Sequence, residues 1–143
     1  MDRRQAVSGL AAACLAAPLA GTARAQNAVA DFYRGKQITL LVGYGPGGGY
    51  DITARLVARY LGKYIPGHPD IVVQNMPGAG SMRAANYTYV NAPKDGTAFA
   101  LIARDTPLLG LLGVDPNVKF DVHKFGWVGS SSSYANDAYV RGL

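Results

Sequence analysis

Two short runs carry most of the chemical promise of this chain. One reads Gly43-Tyr44-Gly45-Pro46-Gly47-Gly48-Gly49, the other Pro77-Gly78-Ala79-Gly80, and a residue suited to opening a helix follows each, Asp51 and Ser81. Glycine backbone approaches a ligand without a Cβ in the way. The unpaired N–H groups of a helix start, with the helix dipole behind them, favour an anion. Two such loops side by side suit one carboxylate or phosphate held from two directions. Tight turns would be as rich in glycine, but two at the same place in consecutive strand–helix units are harder to explain that way.

Other chemistries find less support. Gly43, Gly45 and Gly48 satisfy G-x-G-x-x-G, yet Pro46 stiffens the motif, and Gln74-Asn75 stand where an acid would hold a ribose. The phosphate-loop signature is absent, and all nine acidic residues are Asp. His68 and His123 are solitary and read as surface histidines. Ser81 and the serines at 130–133 lack a nucleophile-elbow context. Asp51 and Asp105 would need shifted pKa values to work as a catalytic pair. Tyr60, Tyr64, Tyr87 and Tyr89 fit helix core or helix surface better than a stacking platform. No catalytic residue, cofactor or metal is assigned.

The elements that must position the loops follow from periodicity. Residues 38–42 form a β-branched and apolar run, a buried strand. From Asp51, read as the helix N-cap, the period becomes helical: Ile52, Leu56, Val57, Tyr60, Leu61 and Tyr64 make the apolar face, and Arg55, Arg59 and Lys63 the polar stripe. The pattern then repeats. A strand at 71–73 leads to the second loop, and a helix capped by Ser81 runs to about Val90. Pro93-Lys94-Asp95-Gly96 turns into a third strand at 97–102. Strand and helix alternating this way predict a parallel βαβαβ sheet of the α/β class, which brings the loops to its carboxyl edge. Beyond it, 107–112 reads as a short helix, 125–128 as a fourth strand and 138–140 as the start of another. Residues 26–36 read as a polar, fraying lead-in.

At 143 residues the prior is one domain. Residues 1–25 have the parts of a secretory signal: basic Arg3-Arg4, an apolar stretch at 6–20 and an Ala23-Arg24-Ala25 cleavage site. The apolar stretch is too short to span a membrane. Arg3-Arg4 also resembles a twin-arginine signal, but Ala6 and Val7 stand where such signals prefer bulkier apolar residues, which favours the general secretory route. Without the leader the net charge falls from +5 to +3, with the basic residues scattered, which argues against nucleic acid as a partner. Cys14, the one cysteine, leaves with the leader, which suits an exported, disulfide-free periplasmic protein.

The strand followed by Tyr44-Gly45-Pro46-Gly47-Gly48-Gly49-Tyr50-Asp51-Ile52 resembles the first binding loop of the tripartite tricarboxylate transporter solute-binding proteins. So does the second strand with Asn75-Met76-Pro77-Gly78-Ala79-Gly80, and Pro93-Lys94-Asp95-Gly96-Thr97 before the third. The resemblance implies a bacterial periplasmic receptor whose two α/β lobes close, in Venus-flytrap fashion, on a small organic carboxylate. Such a receptor delivers the acid to membrane subunits of a transporter and catalyses nothing. Carried over, the ligand-binding positions are Gly47, Gly48, Gly49, Tyr50 and Asp51 of the first loop, and Pro77, Gly78, Ala79, Gly80 and Ser81 of the second. Arg104, Asp105 and Thr106 fall in a third cleft-lining turn. Gly45, Tyr50, Met76 and Ser81-Met82 depart from the family pattern, which bears on which acid binds. The length matches most of one lobe, so 26–143 is expected to be an incomplete N-terminal lobe, truncated and weak or inactive alone. The competing readings are an exported hydrolase or transferase using the same cleft on an anionic substrate, and a nucleotide-binding domain.

Overall fold

Strand β1 (Gln37–Val42) is the axis of the structure, a computed structural model that describes residues 27–113 and 115–130. It lies between β2 (Asp70–Asn75) and β3 (Ala98–Leu101), parallel to both, in the order β2-β1-β3. Ile38, Leu40, Leu41 and Val42 are each at most 2 % exposed. That burial on both faces explains an apolar run without alternation.

Helix α2 (Gly49–Leu61) joins β1 to β2, and α3 (Met82–Val90) crosses back from β2 over β1 to β3. Right-handed crossovers in opposite directions put the two helices on opposite faces. Burial agrees. Leu40, Val42 and Ala54 form one core cluster with Ile71, Val73, Phe99 and Leu101, while Leu41, of opposite phase in β1, is buried on the face that α3 covers. A second cluster joins Met82 and Ala85 of α3 to Phe120 and Val122, with Tyr89, Ile102, Val118 and Phe125 around it.

Three expectations need correction. Residues 27–33 are helical (α1) rather than frayed. The Tyr33 hydroxyl donates to Gly96 O at 3.1 Å, and a Cβ on Gly67 would lie 2.5 Å from Ala30 O, so the segment is seated on the turns below the sheet. Second, the apolar face read for α2 divides. Ala54 is fully buried and Val57, Ala58 and Leu61 partly so, whereas Ile52, Leu56 and Tyr60, and Tyr64 beyond the helix, are 47–81 % exposed. Small side chains let the helix axis lie close to the sheet, and the bulky ones are left outside. Third, 125–128 is not a strand. Phe125 packs its ring against Tyr89, Phe120 and Trp127, and Trp127 Nε1 donates to Val122 O at 3.2 Å, so aromatic contacts replace a ladder. The expected helix at 107–112 is α4 (Thr106–Leu112), and Gly110 gives Phe120 and Val122 room to approach it. The leader with Cys14, the strand read at 138–140 and Ser131 to Ser133 lie outside the described residues.

Candidate functional site

In a sheet of order β2-β1-β3 the chain leaves β1 toward β2 on one side and then crosses back to β3 on the other, so the strand order reverses between β1 and β3. Open parallel sheets bind ligands in the crevice at the carboxyl ends of such strands. Here that crevice is bordered by the loop after β1, by the segment after β3 and, less obviously, by the loop after β2.

The first loop begins at Gly43, whose N–H donates to Leu101 O at 3.1 Å. The N-cap of α2 is Gly48, in extended conformation, and not Asp51, which sits in the first turn. From there the Asp51 carboxylate reaches back to accept the Gly47 N–H at 2.9 Å. The same group, only 2 % exposed, also accepts from Arg55 Nε and Asn75 Nδ2, both at 2.9 Å. The Arg55 guanidinium first, then the Gly47 amide and Asn75, hold it ionised well below the usual carboxylate range. Gly47 takes a positive φ of 85°, which glycine permits. Gly47, Gly48 and Gly49 are exposed, and Tyr50 stacks on Tyr44 with ring centroids 4.5 Å apart. The amides of Gly49 and Tyr50 belong to the first helical turn, where no intrahelical acceptor exists.

The second loop is built differently. Gly78, Ala79, Gly80 and Ser81 all have positive φ, a left-handed path that Ala and Ser adopt at a cost of about 1–2 kcal/mol each. Ala79–Ser81 forms one 3-10 turn. Ser81 is the N-cap of α3 as expected, but its hydroxyl does not cap. It is fully buried and accepts the Ala103 N–H at 2.9 Å, beyond β3. A Cβ on Gly43 would lie 2.1 Å from that hydroxyl, so the second loop rests directly on the start of the first.

The third segment completes the border. Thr106, fully buried, donates its hydroxyl to Gly80 O at 3.4 Å. Arg104 and Asp105 are exposed. The Gly43 N–H bond to Leu101 O places this segment next to the first loop, and the Tyr44 phenol feels it: burial first, then Tyr50 and Asp105, raise its pKa, and Arg104 opposes them.

The three expected groups therefore meet at one edge, but their members divide. Gly47, Gly48, Gly49, Pro77, Gly78, Ala79, Gly80, Arg104 and Asp105 present themselves to solvent, and Tyr50 is half-buried. Asp51, Ser81 and Thr106 are buried and occupied with bonds inside the protein. Gly43, Tyr44 and Asn75, absent from the expected set, hold the loops in place. His68 and His123 are exposed and lie in other segments, and no cluster of metal-binding side chains occurs among the described residues.

Comparison with known proteins bears on what this edge is for. The chain is 35 % identical over 124 residues to Protein BugT of Bordetella pertussis, covering 85 % of this chain and 34 % of that protein. It is also 35 % identical over 103 residues to the UPF0065 protein in the gbd 5′ region of Cupriavidus necator, covering 72 % of this chain and 31 % of that one. Over the matched segment, the chain belongs to the Bug family of tripartite tricarboxylate transporter receptors. It spans about a third of the length of these Bug relatives. A solved structure described as a periplasmic transporter shares the fold, with a TM-score of 0.52 and 28 % identity over 63 % of this chain and 29 % of that one. No protein-family model matches.

Proposed function

We propose that this chain carries the first-lobe part of a periplasmic solute-binding receptor. It captures a small organic carboxylate at the crevice between β1 and β3 for the membrane subunits of a tripartite tricarboxylate-type transporter. Residues 1–25 direct export and are removed. The observation that carries this reading is the meeting of both glycine loops and the segment after β3 at the switch point of a parallel sheet, in a chain of Bug-family sequence. The carboxylate would lie against the exposed amides of the first turn of α2, with Ala79, Gly80 and Arg104 on its other sides. A second lobe, of the kind a relative about three times longer has room for, would close over it.

The crevice offers little to an enzyme. Asp51 is held ionised by three donors, which unfits it as a proton donor near neutral pH and weakens it as a base. The reading is therefore capture without turnover.

Gly48→Val is the sharpest probe of the site. Gly48 has an extended backbone, φ −81° and ψ 168°, which valine adopts freely, and an added Cβ meets only Gly45 O at 3.8 Å. The substitution should leave the fold intact and block the amides. We expect the thermal midpoint of the exported chain to rise with one acid from a panel of citrate, dicarboxylates and benzoate. A ligand at 100 times its Kd adds about 2.7 kcal/mol of stability, enough to see. The G48V variant should keep its own midpoint and lose the response. An equal response in both proteins would remove the first loop from the site, and consumption of any of the acids would replace the receptor with an enzyme.

A further inference from the structure

Asn75 ends β2 directly opposite Val42, the last residue of β1, and the chain passes from it into the second loop. Its side chain turns toward the first. Nδ2 donates to Tyr44 O and to Asp51 Oδ1, each at 2.9 Å, and Oδ1 accepts from Arg55 Nη2 at 3.3 Å. A side-chain amide nitrogen has two protons, and both are used. Asp51 continues the chain of bonds to the Gly47 N–H. The segment from Tyr44 to Gly47 is thus pinned at both ends, at one by Asn75 itself and at the other through Asp51. On the far side of Asn75, the Met76 N–H donates to Val42 O at 2.7 Å and fixes the entry to the second loop.

We infer that Asn75 is a positioning residue that couples the two glycine loops and holds the first in its binding conformation before any ligand arrives. The proposal rests on the receptor reading for what the loop is ready to bind; the clamp stands on its own hydrogen bonds. A run with Gly45, Gly47, Gly48 and Gly49 has more conformational freedom to lose than any other kind of loop. Left unclamped, it would be ordered only by the ligand, at the expense of affinity. Asn75 removes that freedom in advance and need not touch the ligand. Asp at this position has nearly the same shape but no N–H, and it would set a second carboxylate against Asp51. Asn75→Asp therefore removes the clamp with little change in volume.

The test is amide hydrogen exchange of the full chain without added anion, in the unaltered protein and in N75D, N75A and R55A. Gly47 should exchange at least tenfold faster in N75D and N75A, with the amides of Leu41 and Val42 unchanged, and less than tenfold faster in R55A, which keeps both Asn75 donors. Titration with citrate, succinate and benzoate, each alone, should show about a tenfold weaker Kd in N75D for the acid that the unaltered chain binds. Equal Gly47 exchange in all proteins would overturn the clamp. So would Gly47 exchanging only together with Leu41 and Val42, which would make Asn75 a residue of the fold as a whole. Free exchange at Gly47 with an unchanged Kd would overturn the positioning role. If no acid binds the unaltered chain, the receptor reading fails, while Gly47 exchange still decides the clamp.

Discussion

The two glycine loops look alike as sequence and are built on opposite principles. The first keeps an open backbone and is held from outside by charged and amide side chains, Asp51 from the helix below it and Asn75 from the neighbouring strand. The second is held by its own left-handed path, and the hydroxyl at its end is turned inward to accept the Ala103 N–H just beyond β3. One leaves its backbone open to solvent and draws its order from neighbours; the other orders itself and wedges its buried end, Ser81, against the start of the first. Glycine content cannot distinguish them, because glycine serves both close approach to a ligand and a reversed backbone.

The largest blow to this contrast should be Gly43→Ala. Its Cβ would fall 2.1 Å from Ser81 Oγ and 2.9 Å from the Ser81 Cα, so the backbone of one loop would have to leave the other. We expect about 3 kcal/mol of destabilisation in denaturant unfolding, at the upper end for overpacking. An alanine tolerated there would mean the second loop does not lean on the first. The next effect separates the loops by pH. Asp51 titrates below its ordinary value in the folded chain, so its contribution is complete above the unfolded value of about 3.9 and is lost as pH falls through the folded one. The stability difference between the unaltered chain and Asp51→Asn should be constant from pH 5 to 7 and shrink below about pH 4. A difference that held at low pH would deny the carboxylate its role. The smallest effect is a gain. Ala79 has φ 46°, so Ala79→Gly should relieve strain and stabilise by up to about 1 kcal/mol in the same unfolding measurement. A loss would show that the side chain of Ala79 is packed to advantage.

Much of the fold was legible because β1 and the loops announce themselves. Only a strand buried on both faces explains Ile38, Leu40, Leu41 and Val42 together, and Gly/Pro runs after strands mark the carboxyl edge. The face of α2 was misread in part, at Ile52, Leu56 and Tyr60, because apolar periodicity assigns the bulky residues to the core. Here the sheet selects Ala54 and Ala58 for close approach and buries Asp51 beside them for its hydrogen bonds. The role of Asn75 was not visible, since its partners Tyr44 and Asp51 are 31 and 24 residues away and only strand register brings them together. A polar Gln74-Asn75 ending an apolar strand at the loop edge was the available signal. The inward turn of Ser81 left no trace in sequence, because capping and core-facing serines occupy the same position before a helix.

The outer face of α2 has a practical consequence. Ile52, Leu56 and Tyr60 recur every fourth residue and stand 47–62 % exposed, and β2, against which the helix packs, is an edge strand among the described residues. Grease and an unpaired strand edge together promote self-adhesion. Yield and shelf life of the purified chain should therefore fall with concentration, and a single charge at Leu56, on the exposed side of the helix, is the change most apt to keep it in solution.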